Sequence, residues 1–156
     1  MVSIVVVCTG NMCRSAMAEG ILKKRLSDLG RKDILISSMG IHGQDGNRAV
    51  DEVVKACSDN EIDISAHRSR ALVAGELKES DLIFVMEPVQ KEFISIFFPQ
   101  VVDRLFLLGC WPGAENKKGI IKDPIGGRKE DFRRSFRIIA DHIERILPFL
   151  LARYPG

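Results

Sequence analysis

Eight consecutive residues, Cys8, Thr9, Gly10, Asn11, Met12, Cys13, Arg14 and Ser15, place a thiol, a guanidinium and a hydroxyl in one short stretch of VVVCTGNMCRSAMAEG. If that stretch turns a strand into a helix, several backbone N–H groups point into one concavity, and the helix N-terminus adds roughly half a positive charge. Such a cradle attracts an oxyanion. Gly10 lets the backbone approach closely, and Asn11 tolerates the left-handed conformation that a tight nest requires. Arg14 adds a rigid fork of donors able to grip two phosphate oxygens at once. The same field favours the thiolate of Cys8, the reactive form, and the Ser15 hydroxyl could donate to that sulfur. A nucleophile beneath an oxyanion cradle is suited to covalent phosphoryl transfer through a cysteinyl phosphate, with no metal or cofactor required.

A cysteine and an arginine with five residues between them coincide often by chance, so the elements that would position them carry the argument. Residues 2 to 8 form a β-branched apolar run without alternation, as in a strand buried on both faces of a parallel sheet. From Ser15 the period changes: Met17, Ala18, Ile21, Leu22, Leu26 and Leu29 give helical spacing up to Gly30. DILISS (33 to 38) reads as a second strand. A Gly-bearing loop then leads to a helix marked by Ala49, Val50, Val53, Val54 and Cys57. SDLIFVMEP is a third strand, followed by a short helix through Val89, Phe93, Ile96 and Phe97. DRLFLLG is the last strand, and Phe132, Phe136, Ile139, Ile143, Ile146 and Leu150 trace a long closing helix that Pro148 could disturb. The expected fold is α/β: a single three-layer domain over residues 1 to 156. About four parallel strands carry helices on both faces, and the phosphate-binding loop follows the first strand. Ligands of such sheets bind at the carboxyl ends of the strands, where Cys8 stands.

The remaining composition narrows the class. With 156 residues, 46% hydrophobic and 28% charged, the chain is an ordinary globular one. A net charge of +2 gives no sign of a nucleic-acid partner, and the basic KEDFRRSFR cluster lies on a segment with a regular apolar face, so it reads as a solvated helix surface. MVSIVVVC is too short for a signal peptide or a membrane span, so a cytoplasmic protein without a membrane partner is expected. Its four cysteines lack the spacing of a disulfide framework or a zinc site.

VCTGNMCRSAMAEG, together with a distant DPIGG at Asp123, resembles the signature of the low-molecular-weight protein tyrosine phosphatase family, whose length and element order the chain also matches. Carried to the matching positions, the resemblance implies Cys8 as nucleophile, Arg14 as phosphate binder and Ser15 as thiolate partner. Asp123 becomes the general acid that protonates the leaving group and then the base that activates water; alone, an Asp-Pro pair is a turn. Thr9, Gly10, Asn11, Met12 and Cys13 become the phosphate-binding loop, with Asn11 bracing it. His67 in ISAHRSR falls where family members have a supporting histidine. The implied partner is a phosphorylated protein or peptide, with phosphate, vanadate or a similar oxyanion able to occupy the loop. A monomer is expected.

Substrate choice stays open at this stage. Tyrosine-specific members carry aromatic residues beside the pocket, whereas MGIHGQDGNRAV has none and Ile125 follows Pro124. A wall of Ile41, His42, Ile125 and Trp111 could still grip an aryl phosphate. The DPIGG form resembles a bacterial branch that includes protein arginine phosphatases, which tend to place Thr where this chain has Met12. A bulky apolar Met12 favours an aryl ester, so phosphotyrosine is the first expectation and phosphoarginine the second. A thioredoxin-coupled arsenate reductase, built on a similar loop, would need two further cysteines close together, and none lies between Arg70 and Gly109. Cys13 is either a small buried residue or a redox partner that caps an oxidised Cys8 as a disulfide.

Overall fold

From Ile4 to Cys8 each residue of the amino-terminal apolar run faces one of two cores, which is why that stretch does not alternate with polar residues. The computed structural model describes all 156 residues. Strand β1 (Val2–Cys8) buries Ile4, Val6 and Cys8 in a core of 30 buried residues, and Val5 and Val7 in a second core of 11. It pairs in parallel with β2 (Ile34–Gly40) on one side and β3 (Leu82–Val85) on the other. Strand β4 (Leu105–Leu107) adds to β3, so the sheet order is β2-β1-β3-β4 with every pairing parallel. The chain leaves β1 outward to β2 and returns to β3, so β1 and β3 border the crevice where ligands bind in open sheets of this kind. Cys8 ends β1 at that crevice.

Helices α1 (Arg14–Asp28), α2 (Asp51–Ser58) and α5 (Lys129–Arg153) line the larger core. Helices α3 (Ala74–Glu79) and α4 (Pro88–Phe97) contribute Leu77 and Ile94 to the smaller one. The α/β, three-layer architecture expected from the sequence is the one observed. Helix α3 was not foreseen, because six residues with one buried apolar side chain give no readable period. The fourth strand is shorter than the expected DRLFLLG stretch: it ends at Leu107, and Asp103 and Arg104 belong to a 3-10 turn (Pro99–Arg104), where the Arg104 guanidinium donates to the carbonyl of Ser80 at 2.7 Å.

Pro148 does not disturb α5, which continues to Arg153. Proline removes the bond to the carbonyl four residues earlier, but both Glu144 and Pro148 are exposed, on the side of the helix where solvent can hydrogen-bond a freed carbonyl. Ile143, Ile146, Leu147 and Leu150 on the opposite side are buried and hold the helix in place; each contributes roughly 1.5 to 3 kcal/mol of gross burial energy. No helix is long and apolar enough to cross a membrane.

Candidate active site

The loop between β1 and α1 is built around Asn11, which is fully buried and has φ +58°. Its side-chain amide donates to the hydroxyls of Ser15 (2.9 Å) and Ser38 (2.8 Å), and its side-chain carbonyl accepts from the backbone N–H of Arg70 (2.9 Å). Its main-chain carbonyl lies 2.7 Å from Nε2 of His67. Four hydrogen bonds thus hold this residue in its left-handed conformation. Gly40, at the end of β2, is needed for the same approach: a Cβ there would sit 2.9 Å from the backbone of Thr9, Gly10 and Asn11.

Cys8 Sγ lies 2.9 Å from Ser15 Oγ. Ser15 already accepts from Asn11, which leaves its single hydroxyl hydrogen available to the sulfur. Behind the loop the chain of contacts continues outward. Ser38 donates to the Glu19 carboxylate, and His67 Nδ1 is 3.9 Å from that same carboxylate. Glu19, Ser38, His67 and Arg70 line a cleft of about 760 Å³ on this rear side.

Arg14 opens α1 and is 2% exposed, an unusual burial for a permanent cation. One terminal nitrogen donates to the carbonyl of Ile121 at 2.9 Å and lies 3.3 Å from a Glu87 carboxylate oxygen. The other lies 3.6 Å from Asp123 Oδ2. Its Nε is buried with no partner. Two carboxylates offset the desolvation of the guanidinium, while the orphaned Nε leaves a donor that an incoming anion would satisfy. Asp123 is itself partly open to solvent, its other oxygen accepting from the N–H of Ile125 at 3.0 Å.

The rest of the loop is tied down by its backbone. The Cys8 and Thr9 carbonyls accept from Ile41 and His42 N–H groups, both at 2.9 Å, and the Met12 carbonyl accepts from Val50 at 3.0 Å. Thr9 Oγ1 accepts from the Gln90 amide at 3.2 Å, and Gln90 in turn accepts from the N–H groups of Met86 and Glu87. Gly10 and Met12 are half-buried. Cys13 is buried at the N-cap of α1, and burial, reinforced by the nearby charges of Asp123 and Cys8, pushes its thiol well above the ordinary range. All four cysteines are free. No cluster of three or more His, Cys, Asp or Glu side chains is arranged to hold a metal ion.

The expected pocket wall divides. His42 is exposed, with its ring edge-on to Phe93 of α4 at 5.7 Å. Ile125 is exposed beside Asp123, and Ile41 is partly sunk against the smaller core. Trp111 is not a wall residue: it is buried and packs edge-to-face on Phe84 at 5.5 Å, because the Pro-rich segment folds back onto the sheet. Sequence reasoning missed Glu87, Gln90, Ser38 and Phe93. A signal for the first two was present, since an acid followed by proline at the end of an apolar run marks a helix start at a strand's carboxyl end.

The model of the low molecular weight phosphotyrosine protein phosphatase family matches residues 3–154. The low molecular weight protein-tyrosine-phosphatase Ptp of Acinetobacter johnsonii is 41% identical over 112 residues, covering 71% of this chain and 75% of the relative. Among solved structures, a low molecular weight protein tyrosine phosphatase from T. tengcongensis superposes with a TM-score of 0.87 at 32% identity, covering 95% and 99% of the two chains. The YwlE arginine phosphatase from Geobacillus stearothermophilus superposes with a TM-score of 0.89 at 26% identity, covering 98% and 95%. A loop braced on Asn11, a buried guanidinium and a family match over nearly the whole length thus agree, and the chain belongs to the low molecular weight phosphotyrosine protein phosphatase family of hydrolases.

Proposed function

We propose that this chain is a cytoplasmic protein phosphatase that hydrolyses phosphotyrosine through a cysteinyl-phosphate intermediate. The observation that carries the reading is the buried Arg14 guanidinium, with an unpartnered Nε, in the loop that begins at Cys8. A phosphate seated in the loop would accept from that nitrogen and from the backbone N–H groups at the start of α1. The Cys8 thiolate attacks phosphorus and the bond to the leaving oxygen breaks, while Asp123 supplies the proton that oxygen needs. Water then attacks phosphorus and gives its proton to Asp123. The S–P bond breaks, and the Ser15 hydroxyl stabilises the departing thiolate. A reducing cytoplasm keeps the nucleophile in its working state.

Phosphotyrosine is favoured by Met12, an apolar residue in the loop that begins at Cys8 and of a kind that suits an aryl group, and by the likeness to tyrosine phosphatases. Phosphoarginine is a second reading with its own support. Glu87 and Asp123 both stand beside Arg14, so two carboxylates at the mouth could receive a cationic leaving group, and arginine phosphatases share the fold closely. Arsenate reduction lacks a cysteine pair: Cys57 lies in the larger core and Cys110 in the smaller one, on opposite faces of the sheet.

The test compares turnover of a phosphotyrosine peptide with that of a phosphoarginine peptide, with arsenate plus thioredoxin as a third arm. Preference for phosphotyrosine and loss of all turnover in Cys8→Ser are expected. Preference for phosphoarginine would reverse the order of the two readings, and full activity of Cys8→Ser would end both.

A further inference from the structure

Helix α4 has two apolar sides, and only one of them is covered. Ile94 is buried in the smaller core, and the Gln90 amide is buried against Thr9 of the loop. Val89, Ile96 and Phe97 are 64%, 65% and 63% exposed, and Phe93, half-buried against the smaller core, lies between them at the helical spacing that makes one stripe. The stripe is stiffened by aromatic contacts, with Phe93 and Phe97 ring centroids 4.7 Å apart and the His42 ring edge-on to Phe93. A solvated helix of this length would ordinarily carry polar residues there.

The stripe begins at the candidate active site. Val89 is two residues from Glu87, which contacts Arg14, and Gln90 holds Thr9 of the loop. His42, at the other edge, is bonded through its backbone to that same Thr9. From Val89 to Phe97 the helix extends about 12 Å, a length that about four residues of extended chain would span. The three most exposed side chains offer on the order of 300 Å², well short of the roughly 800 Å² per partner that a stable dimer buries.

We infer that the Val89, Phe93, Ile96 and Phe97 face of α4 is a substrate-docking strip that receives an apolar segment flanking the phosphorylated residue of a protein substrate. The inference rests on the phosphatase reading and narrows its substrate class to phosphoproteins with aliphatic or aromatic residues three or four positions from the phosphorylated one. Small aryl phosphates would bypass the strip.

The test uses phosphotyrosine peptides that carry Leu or Ser at the third and fourth positions on either side of the phosphorylated residue. With the parent protein, kcat/KM is expected to favour Leu about tenfold on one side, as one buried aliphatic contact allows. The double variant Ile96→Ser, Phe97→Ser should lose that preference while hydrolysing p-nitrophenyl phosphate at the parent rate. Dissociation constants of the same peptides for Cys8→Ser should show the same ratio, and this arm stands even if turnover is absent. Absence of p-nitrophenyl phosphate turnover in the parent would defeat the phosphatase reading, whereas equal handling of Leu and Ser peptides by the parent would defeat docking alone. A Leu preference that survives in the double variant would also overturn docking. So would a concentration-dependent dimer that the two substitutions disperse, since that would assign the strip to a second copy of the chain.

Discussion

Replacing Asn11 by Ala separates the contribution of side-chain bracing from that of the backbone. The substitution removes three side-chain hydrogen bonds, of 2.9, 2.8 and 2.9 Å, to Ser15, Ser38 and Arg70. Each such bond contributes about 1 kcal/mol net. The Ser15 and Ser38 side chains are buried, so their hydroxyls lose a partner where water does not reach freely. Alanine at φ +58° adds strain of about 1 kcal/mol. The sum is a destabilisation of about 4 kcal/mol, to be read as a shift of the urea unfolding midpoint. Asn11→Gly keeps the loss of bonds but accepts the positive φ, so it should be destabilised by up to about 1 kcal/mol less than Asn11→Ala, the gain being reduced by the freer unfolded chain. In both variants kcat for p-nitrophenyl phosphate should fall more than tenfold, because Ser15 loses the bond that aims its hydroxyl at Cys8. A loss of stability below about 1 kcal/mol in Asn11→Ala, with unchanged kcat, would refute the view that this side chain holds the loop in its anion-binding shape.

Three further outcomes are expected. Asp123→Asn should lower kcat about a hundredfold for phenyl phosphate and much less for substrates whose leaving group departs unaided; an equal loss across a leaving-group series would remove Asp123 as the acid. After peroxide treatment, Cys13→Ala should recover less activity with a thiol reductant than the parent. Because burial holds the Cys13 thiol above its ordinary range, protection in the parent should improve as pH rises; equal recovery at every pH would exclude Cys13 as a resolving thiol. Arg31 donates two hydrogen bonds to Asp33, at 2.8 and 2.7 Å, and also holds the Tyr154 carbonyl near the C-terminus. That pairing lowers the Asp33 carboxyl from 3.8 to about 2. Its stabilising contribution is complete above the higher value and disappears as pH falls through the lower one. Asp33→Asn should therefore flatten the acid side of a thermal-midpoint profile, and parallel profiles for parent and variant would refute the assignment.

The stretch from Cys8 to Ser15 was readable because its chemistry is contiguous: strand end, glycine-bearing loop, arginine and helix start follow one another within a few residues. The sheet was readable for a similar reason, since a β-branched run without alternation has few stable settings other than a strand covered on both faces. Asp123 could be singled out only through family resemblance, as an Asp-Pro pair has no local feature that separates an acid from a turn. Helix α3 was too short to show a period, and the continuity of α5 past Pro148 depends on how firmly its opposite face is packed, which period alone does not give. Trp111 was misplaced because local composition marks a Pro-rich loop but not whether that loop folds back onto the core.

By itself, then, the sequence determined the order of elements, the two-sided burial of β1 and the identity of the loop, all of which depend on neighbouring residues and on period. Tertiary structure alone decided which groups meet that loop. Ser38 from β2, Glu87 and Gln90 from the β3–α4 junction, the Ile121 carbonyl and the Asp123 carboxylate converge on Asn11, Thr9 and Arg14. They converge because parallel strands bring their carboxyl ends to one edge of the sheet, and no spacing along the chain records that proximity. The apolar stripe on α4 was visible as a helix period, but only packing could show that its Phe97 side remained uncovered.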